Sequence, residues 1–174
     1  MSEAINDNGA QFPMQRYTLQ VMEYEAKISA SSGNPMVVLD WEVVAPEDVE
    51  IVTKENGEII RNRYICAGLK CRNYLMLGGK AIGRTVKLLK KLGIEIEGFD
   101  PGMGEEAINL DWSPLKGLTV QAKGGSKIKP MTEEYFDEVT GDKKNRNMLD
   151  EDGKAITSFQ FEFNLDDIIK RVEA

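Results

Sequence analysis

Two stretches near the start of the chain alternate between hydrophobic and polar residues. In residues 16–28 the odd-numbered positions are hydrophobic up to Val21, and the even-numbered positions are hydrophobic from Met22 onward. A one-residue slip of this kind in a long strand is typical of a β-bulge, which lets the strand bend. Residues 31–35 (SSGNP) then indicate a turn, and residues 36–44 alternate without a break. The pattern predicts a β-hairpin whose first strand is bulged.

Three further segments have the pattern of strands, at residues 59–67, 118–123 and 156–163. An acidic segment, residues 46–58, precedes the first of them and contains an Asn-Gly turn signal. We interpret this acidic segment as a loop, so the predicted third strand follows it and completes the first half of a sheet.

Residues 79–92 change to helical spacing, with the hydrophobic side chains on one side at about 100° per residue. Gly93 follows as a helix-ending glycine. Residues 94–114 are acidic and contain Gly and Pro, which favours irregular structure. A second, short helix is predicted at residues 165–172 (LDDIIKRV), because its two early aspartates suit a helix N-terminus.

The predicted order is strand, strand, strand, helix, strand, strand. This order predicts a mainly β protein with one central helix (α+β), as in the five-stranded oligonucleotide/oligosaccharide-binding (OB) barrel, where the helix lies between strands three and four. The expected organisation is a flexible segment at residues 1–15 and one OB-fold domain at residues 16–174. Residues 124–155 are predicted to be a long loop between the last two strands.

Charge is strongly segregated along this chain. The 174 residues hold 29 acidic and 22 basic groups, for a formal net charge of -7. Residues 61–94 nevertheless contain nine basic residues and no Asp or Glu. Such a window in an acidic protein predicts a local surface that binds a polyanion.

The residue types present argue against catalysis. The chain has no histidine, the commonest general base near neutral pH. Its two cysteines, Cys66 and Cys71, are too few for a structural zinc site and are interpreted as reduced, buried residues. We therefore expect no enzymatic activity, no catalytic residues, no metal and no cofactor. The absence of a membrane-length apolar run or a signal-like N-terminus predicts a cytoplasmic protein without membrane contact.

Arginines of the predicted third strand are the leading candidates for DNA contact, because guanidinium groups pair with phosphates and stack on bases. Tyrosines that tolerate an exposed edge are candidates for stacking. Trp41 is in register with core positions of its strand, so a core role competes with stacking for this residue. The full candidate set is Arg61, Arg63, Tyr64, Lys70, Arg72, Tyr74, Tyr24, Trp41, Lys123, Lys127 and Lys129.

The predicted helix carries a stripe of four cations, Lys80, Arg84, Lys87 and Lys91. Two interpretations remain open for this stripe. It is either the solvated face that any amphipathic helix needs, or an auxiliary contact for DNA or a protein partner.

The run YTLQVMEYEAKISASSGNPMVVLDWEVV resembles the opening of a phage-encoded family found among replication and recombination genes. Its turn and its Glu-Val-Val strand ending carry the likeness, and LKGLTVQ at residues 115–121 adds to it. The resemblance implies an OB-fold single-stranded DNA-binding protein in the host cytoplasm, with phage replication or recombination proteins as further partners.

The chain lacks the acidic tail with a terminal aromatic that many single-stranded DNA-binding proteins use to recruit partners. An alternative function is a phage structural or protein-interaction module built on a small barrel, and a nuclease using carboxylate-bound Mg²⁺ is a third. The sequence leaves open whether the chain forms a homo-oligomer, how long its footprint is, and whether it prefers DNA to RNA.

Overall fold

The computed structural model describes residues 3–173. It contains nine strands in that range: β1 (Gln15–Ile28), β2 (Pro35–Ala45), β3 (Asp48–Glu55), β4 (Glu58–Ile65), β5 (Lys70–Met76), β6 (Thr119–Pro130), β7 (Thr132–Phe136), β8 (Lys143–Asn147) and β9 (Thr157–Arg171). One α-helix, α1 (Ile82–Lys91), lies between β5 and β6. Short 3₁₀ turns occupy Gly79–Ala81, Gly104–Asn109 and Ser113–Leu115. The protein is therefore mainly β with one helix, as the sequence predicted.

The central sheet has five antiparallel-paired strands in the order β5-β2-β1-β6-β9. β1 belongs to both halves of this sheet, because its first residues pair with β6 and its later residues pair with β2. The register of β1 against β2 shifts between Val21 and Glu23. This confirms the predicted bulge and the predicted β1–β2 hairpin. The bulge exchanges the inward and outward faces of β1.

The two edge strands, β5 and β9, form no hydrogen-bonded ladder with each other within residues 3–173. The sheet is therefore open, and the five strands predicted to form an OB barrel do not close into one. It curls enough for the two edges to approach across a seam. In the amide orientation that satisfies both of its ends, Asn73 of β5 donates to the carbonyl oxygen of Phe163 on β9 at 3.1 Å.

The acidic segment at residues 46–58 is not a loop. It contains β3, which pairs along its whole length with β4 in a separate two-stranded sheet. Asn56 and Gly57 connect these strands with φ angles of 51° and 80°, and two positive φ angles are what a two-residue hairpin turn requires. The predicted third strand is therefore half of a hairpin, and the unpredicted β5 takes the place beside β2.

The predicted C-terminal helix is also wrong, since residues 165–171 belong to β9. Ile168 is buried opposite Ala122 of β6, and this pairing outweighs the helix-start signal of the aspartates. The predicted loop at residues 124–155 is largely β structure as well. Its first residues extend β6 against β9, and the rest includes the β7–β8 hairpin.

The core lies between the curled sheet and α1. Tyr17, Leu39 and Trp41 from the first two strands are fully buried, and Leu89 of α1 and Leu92 just after it belong to the same core cluster. Gly93 ends the helix with a φ of 67°, which confirms its predicted role.

The N-terminal segment, expected to be poorly ordered, is anchored at two points in its described part. Ile5 forms a parallel bridge with Tyr64. Phe12 is buried in the core, and its backbone N–H donates to Ser126 Oγ at 2.9 Å. No periodicity in this polar segment anticipated either anchor.

Candidate nucleic-acid interface

Strand β5 presents three predicted site residues on one outward face. Alternation along the strand turns Cys71, Asn73 and Leu75 away from solvent and leaves Lys70, Arg72 and Tyr74 exposed. Tyr74 retains 52% of its surface, so its ring is open to a stacking partner. These three are the part of the predicted site that the fold assembles as a row.

Carboxylates of neighbouring strands accompany this row. Arg72 Nε donates to Asp40 Oδ1 at 2.7 Å and Arg72 Nη2 donates to Asp40 Oδ2 at 3.3 Å. The hydrogen bond and charge of Asp40 raise the pKa of Arg72. Lys70 is opposite Glu42, and Asp40 is opposite Glu23 in the next strand. The outer face is thus acidic where β1, after its bulge, meets β2, and basic at the adjoining β5 edge.

The seam between β5 and β9 forms a groove of about 560 Å³ beside that basic edge. Its walls include Lys70 and Arg72 from β5, and Phe159, Gln160 and Glu162 from β9. The groove therefore combines cations, an amide and an aromatic ring along two open strand edges. These are the groups that a single nucleic-acid strand contacts.

Glu162 joins two further predicted residues to this groove. Lys129 Nζ lies 2.6 Å from one of its carboxylate oxygens, and Lys127 Nζ lies 3.4 Å from the other. Burial alone would raise the pKa of Glu162, but Lys129 and then Lys127 lower it overall. Burial, together with Glu162 and Asp40, raises the pKa of the nearby Cys71 thiol to about 12. With Lys70, Arg72 and Glu42 included, the groove has four cations and three carboxylates around it.

Arg61 and Arg63 are not on this platform, contrary to expectation. Both lie on β4, whose partner is β3. Arg61 Nη1 donates to Glu50 at 3.1 Å, and Arg63 Nε donates to Asp48 at 2.6 Å. The misplacement follows from the missed β3–β4 hairpin, which removes β4 from the central sheet.

Three predicted aromatic contacts are packed against the protein instead. Trp41 is 1% exposed and meets the ring of Phe163 edge to face, with centroids 5.2 Å apart. Tyr24 and Tyr64 are half-buried against the core. Sequence reasoning missed an exposed ring, Phe136 on the β7–β8 hairpin, which retains 71% of its surface. The sequence feature that could have identified Phe136 is its position beside Tyr135 in a segment rich in lysine.

Lys123 lies in a part of the sheet away from β5. It lies on β6, directly opposite Arg16 of β1 rather than near β5. Of the helix stripe, Lys91 lies in this part too. Lys91 Nζ donates to the carbonyl oxygen of Ile168 at 2.6 Å, and Arg84 is 3.6 Å from Asp166. The other two stripe lysines form no ion pair with a carboxylate of residues 3–173.

Comparison of the chain with known protein families, characterised sequences and solved structures yields no match. Within the described residues, no three Cys, Asp or Glu side chains converge as ligands for a metal ion. Helices of residues 3–173 are all too short or too polar to cross a lipid bilayer.

Proposed function

We propose that this protein binds single-stranded DNA without sequence preference, on an OB-type scaffold. The strand order carries the proposal. Numbering the five central-sheet strands by their position in the chain gives 3-2-1-4-5, with the helix between the third and the fourth. An OB Greek key has this order when its contact between the third and fifth strands is left open, and many such barrels are only partly closed.

An OB scaffold has a known binding face, which identifies the surface to test. OB folds bind oligonucleotides on the face of their second and third strands, between the loop joining strands one and two and the loop joining strands four and five. Here those strands are β2 and β5, and the β7–β8 hairpin lies within the second of the two loops. Tyr74, Lys70 and the β5–β9 groove lie on that surface. The proposed mechanism is stacking of bases on Tyr74 and tracking of phosphates by Lys70 and Arg72, with no chemistry performed.

The test is a fluorescence-anisotropy titration of labelled oligo-dT across salt concentrations. A Lys70→Gln/Tyr74→Ala variant should bind about tenfold or more weakly, because base stacking contributes about 1–3 kcal/mol and each phosphate contact adds about 0.7 to the salt slope. Lys54→Gln/Ile59→Ala is a matched control. It removes one exposed cation and one exposed apolar side chain that lie opposite each other on the β3–β4 hairpin. Failure of the wild-type protein to bind oligo-dT at low salt would refute the proposal.

The proposed biological setting, phage replication or recombination, rests on the sequence resemblance. The exposed hairpin tip favours a second function, that of a phage structural or protein-interaction module. Phe136 and Val139 there retain 71% and 93% of their surfaces, while Lys143, Lys144 and Arg146 are all paired with carboxylates of the same hairpin. Mass spectrometry of purified particles separates the two, because a replication factor should be absent from them or present only in traces.

A further inference from the structure

Arg16 and Lys123 form a like-charged pair directly across two antiparallel strands. Side chains in that relation have Cβ atoms about 5 Å apart, and like charges placed there destabilise the sheet. Neither residue forms an ion pair with a carboxylate of residues 3–173. A neighbouring carboxylate would relieve the repulsion, as it does for most other strand cations of this protein. Asp166 and Asp167 line the same groove without pairing with these two cations, which therefore stay available to an anion from outside the chain.

The surroundings of this pair differ from the rest of the sheet surface. Before the β1 bulge, the outward residues of β1 and its partner β6 are the two cations and four neutral polar residues, Thr18, Gln20, Thr119 and Gln121. After the bulge, the outward residues of β1 include Glu23 and Glu25. The bulge thus separates a part of the β1–β6 pair that has no outward carboxylate from an acidic part of β1.

Helix α1 adds a third cation to the pair. Lys91 lines a groove of about 490 Å³ together with Arg16 and Lys123. The hydrogen bond from Lys91 to the carbonyl oxygen of Ile168 fixes its ammonium group at the groove wall without neutralising it. Asp166 and Asp167 also line the groove, and Arg84 lies 3.6 Å from Asp166. Three cations and two carboxylates thus line the groove, and Arg84 beside it offsets the charge of Asp166.

We propose that Arg16, Lys91 and Lys123 bind backbone phosphates of nucleic acid, as a second contact surface separate from the β5 face. The inference rests on the proposed function and extends it. An arginine and two lysines suit phosphate oxygens, whereas no exposed aromatic ring lines this groove for a base. The surface therefore contributes affinity that depends on strand length and salt, and no base preference. A strand long enough to leave the β5–β9 groove reaches it along the outside of the sheet.

The test compares short and long oligo-dT in anisotropy titrations across salt, using Arg16→Gln/Lys123→Gln. Glutamine keeps a polar side chain with part of the aliphatic stem at both strand positions while removing both charges. The control, Lys54→Gln/Arg61→Gln, removes one arginine and one lysine charge from exposed positions of the β3–β4 hairpin, outside both surfaces. For long oligo-dT the salt slope of the variant should fall by about 1.4, for two lost phosphate contacts, while binding of the short oligo-dT stays unchanged. An unchanged slope for long oligo-dT, or a loss shared by the control, overturns the inference.

Calorimetric titration with inorganic tripolyphosphate distinguishes failure of this inference from failure of the proposed function. If the wild-type protein binds oligo-dT but Arg16→Gln/Lys123→Gln leaves the slope intact, the second surface is refuted and the function stands. If the wild-type protein binds tripolyphosphate through these residues but does not bind oligo-dT, the site recognises free phosphates. That result refutes both the nucleic-acid inference and the proposed function.

Discussion

Replacing Asp40 with Asn should tighten the binding of single-stranded DNA. In the folded protein the Asp40 carboxylate accepts two hydrogen bonds from the Arg72 guanidinium, at 2.7 and 3.3 Å. The carboxylate therefore competes with phosphate for the same fork of donors. Both side chains are about half exposed, so the pair contributes at most about 1 kcal/mol to stability and its loss should not unfold the protein.

The size of the gain follows from counterion release. One additional phosphate contact steepens the dependence of log affinity on log salt by about 0.7, which is about fivefold in affinity at 0.1 M salt relative to 1 M. Removing the negative charge of Asp40 from the edge of the groove adds to this. We therefore expect Asp40→Asn to bind oligo-dT at least about fivefold more tightly at 0.1 M salt, with a steeper salt slope.

Anisotropy titrations of four proteins decide the question. They are the wild type, Asp40→Asn, Arg72→Gln and the Asp40→Asn/Arg72→Gln double variant. The gain should disappear in the double variant, because the freed guanidinium is its source. Glu50→Gln is the matched control: it frees Arg61 from an equally exposed pair at 3.1 Å on the β3–β4 hairpin and should leave affinity unchanged. An unaltered affinity in Asp40→Asn, or a gain that survives the loss of Arg72, would refute the reasoning.

Three further predictions concern stability. Gly125→Ala should lower the melting temperature, because a Cβ there would lie 3.0 Å from the Cα of Met14. Gly83→Ala should raise it, because alanine favours the helix and a Cβ at this position of α1 meets no atom within 4 Å outside the helix backbone. Equal melting temperatures of the two variants would contradict this packing. Trp41→Ala should cost about 3–5 kcal/mol in denaturant unfolding, and a cost below about 1 kcal/mol would mean that the site collapses around the loss. Because the folded-state pKa of Cys71 is raised from 9.0 to about 12, the unfolded chain releases this proton first and the free energy of unfolding should fall as pH rises from 9 to 12. Cys71→Ala should make that fall shallower, and identical pH profiles for the two proteins would contradict it.

Local signals allowed part of the fold to be predicted. The hydrophobic positions change from odd to even numbers at Met22 and so mark the β1 bulge. The 3.6-residue period that ends at Gly93 marks α1. Both signals depend only on residues close together in the chain. Strand β5 was not predicted because its inward positions include the polar Asn73, whose amide forms a hydrogen bond across the seam. The end of β9 was not predicted because four residues, 164–167, lie opposite the single residue Lys123. This irregularity interrupts the alternation of hydrophobic and polar residues along the strand.

The candidate site was harder to predict because its electrostatics depend on strand partners. Nothing in the sequence near Arg72 indicates that Asp40, 32 residues earlier, would accept its hydrogen bonds. Similarly, Lys127 and Lys129 share Glu162 only because β6 pairs with β9. The row of Lys70, Arg72 and Tyr74 could be predicted as exposed, since it follows from alternation within one strand. Which of its charged side chains remain unpaired could not be predicted from the sequence.

This dependence on partners changes the meaning of the carboxylate-free window at residues 61–94. Antiparallel pairing places a residue of another segment beside every outward strand residue, so Arg61, Arg63 and Arg72 each obtained a carboxylate partner. Strand pairing places no such neighbour beside the outer face of α1, because the helix backbone hydrogen-bonds within itself, and Arg84 is the exception at 3.6 Å from Asp166. Lys80, Lys87 and Lys90 accordingly form no ion pair within residues 3–173. The half of the window that resembles an ordinary solvated helix face is thus the half whose positive charge survives folding. The C-terminal residue of α1, Lys91, lies beside Arg16 and Lys123, on the proposed second surface.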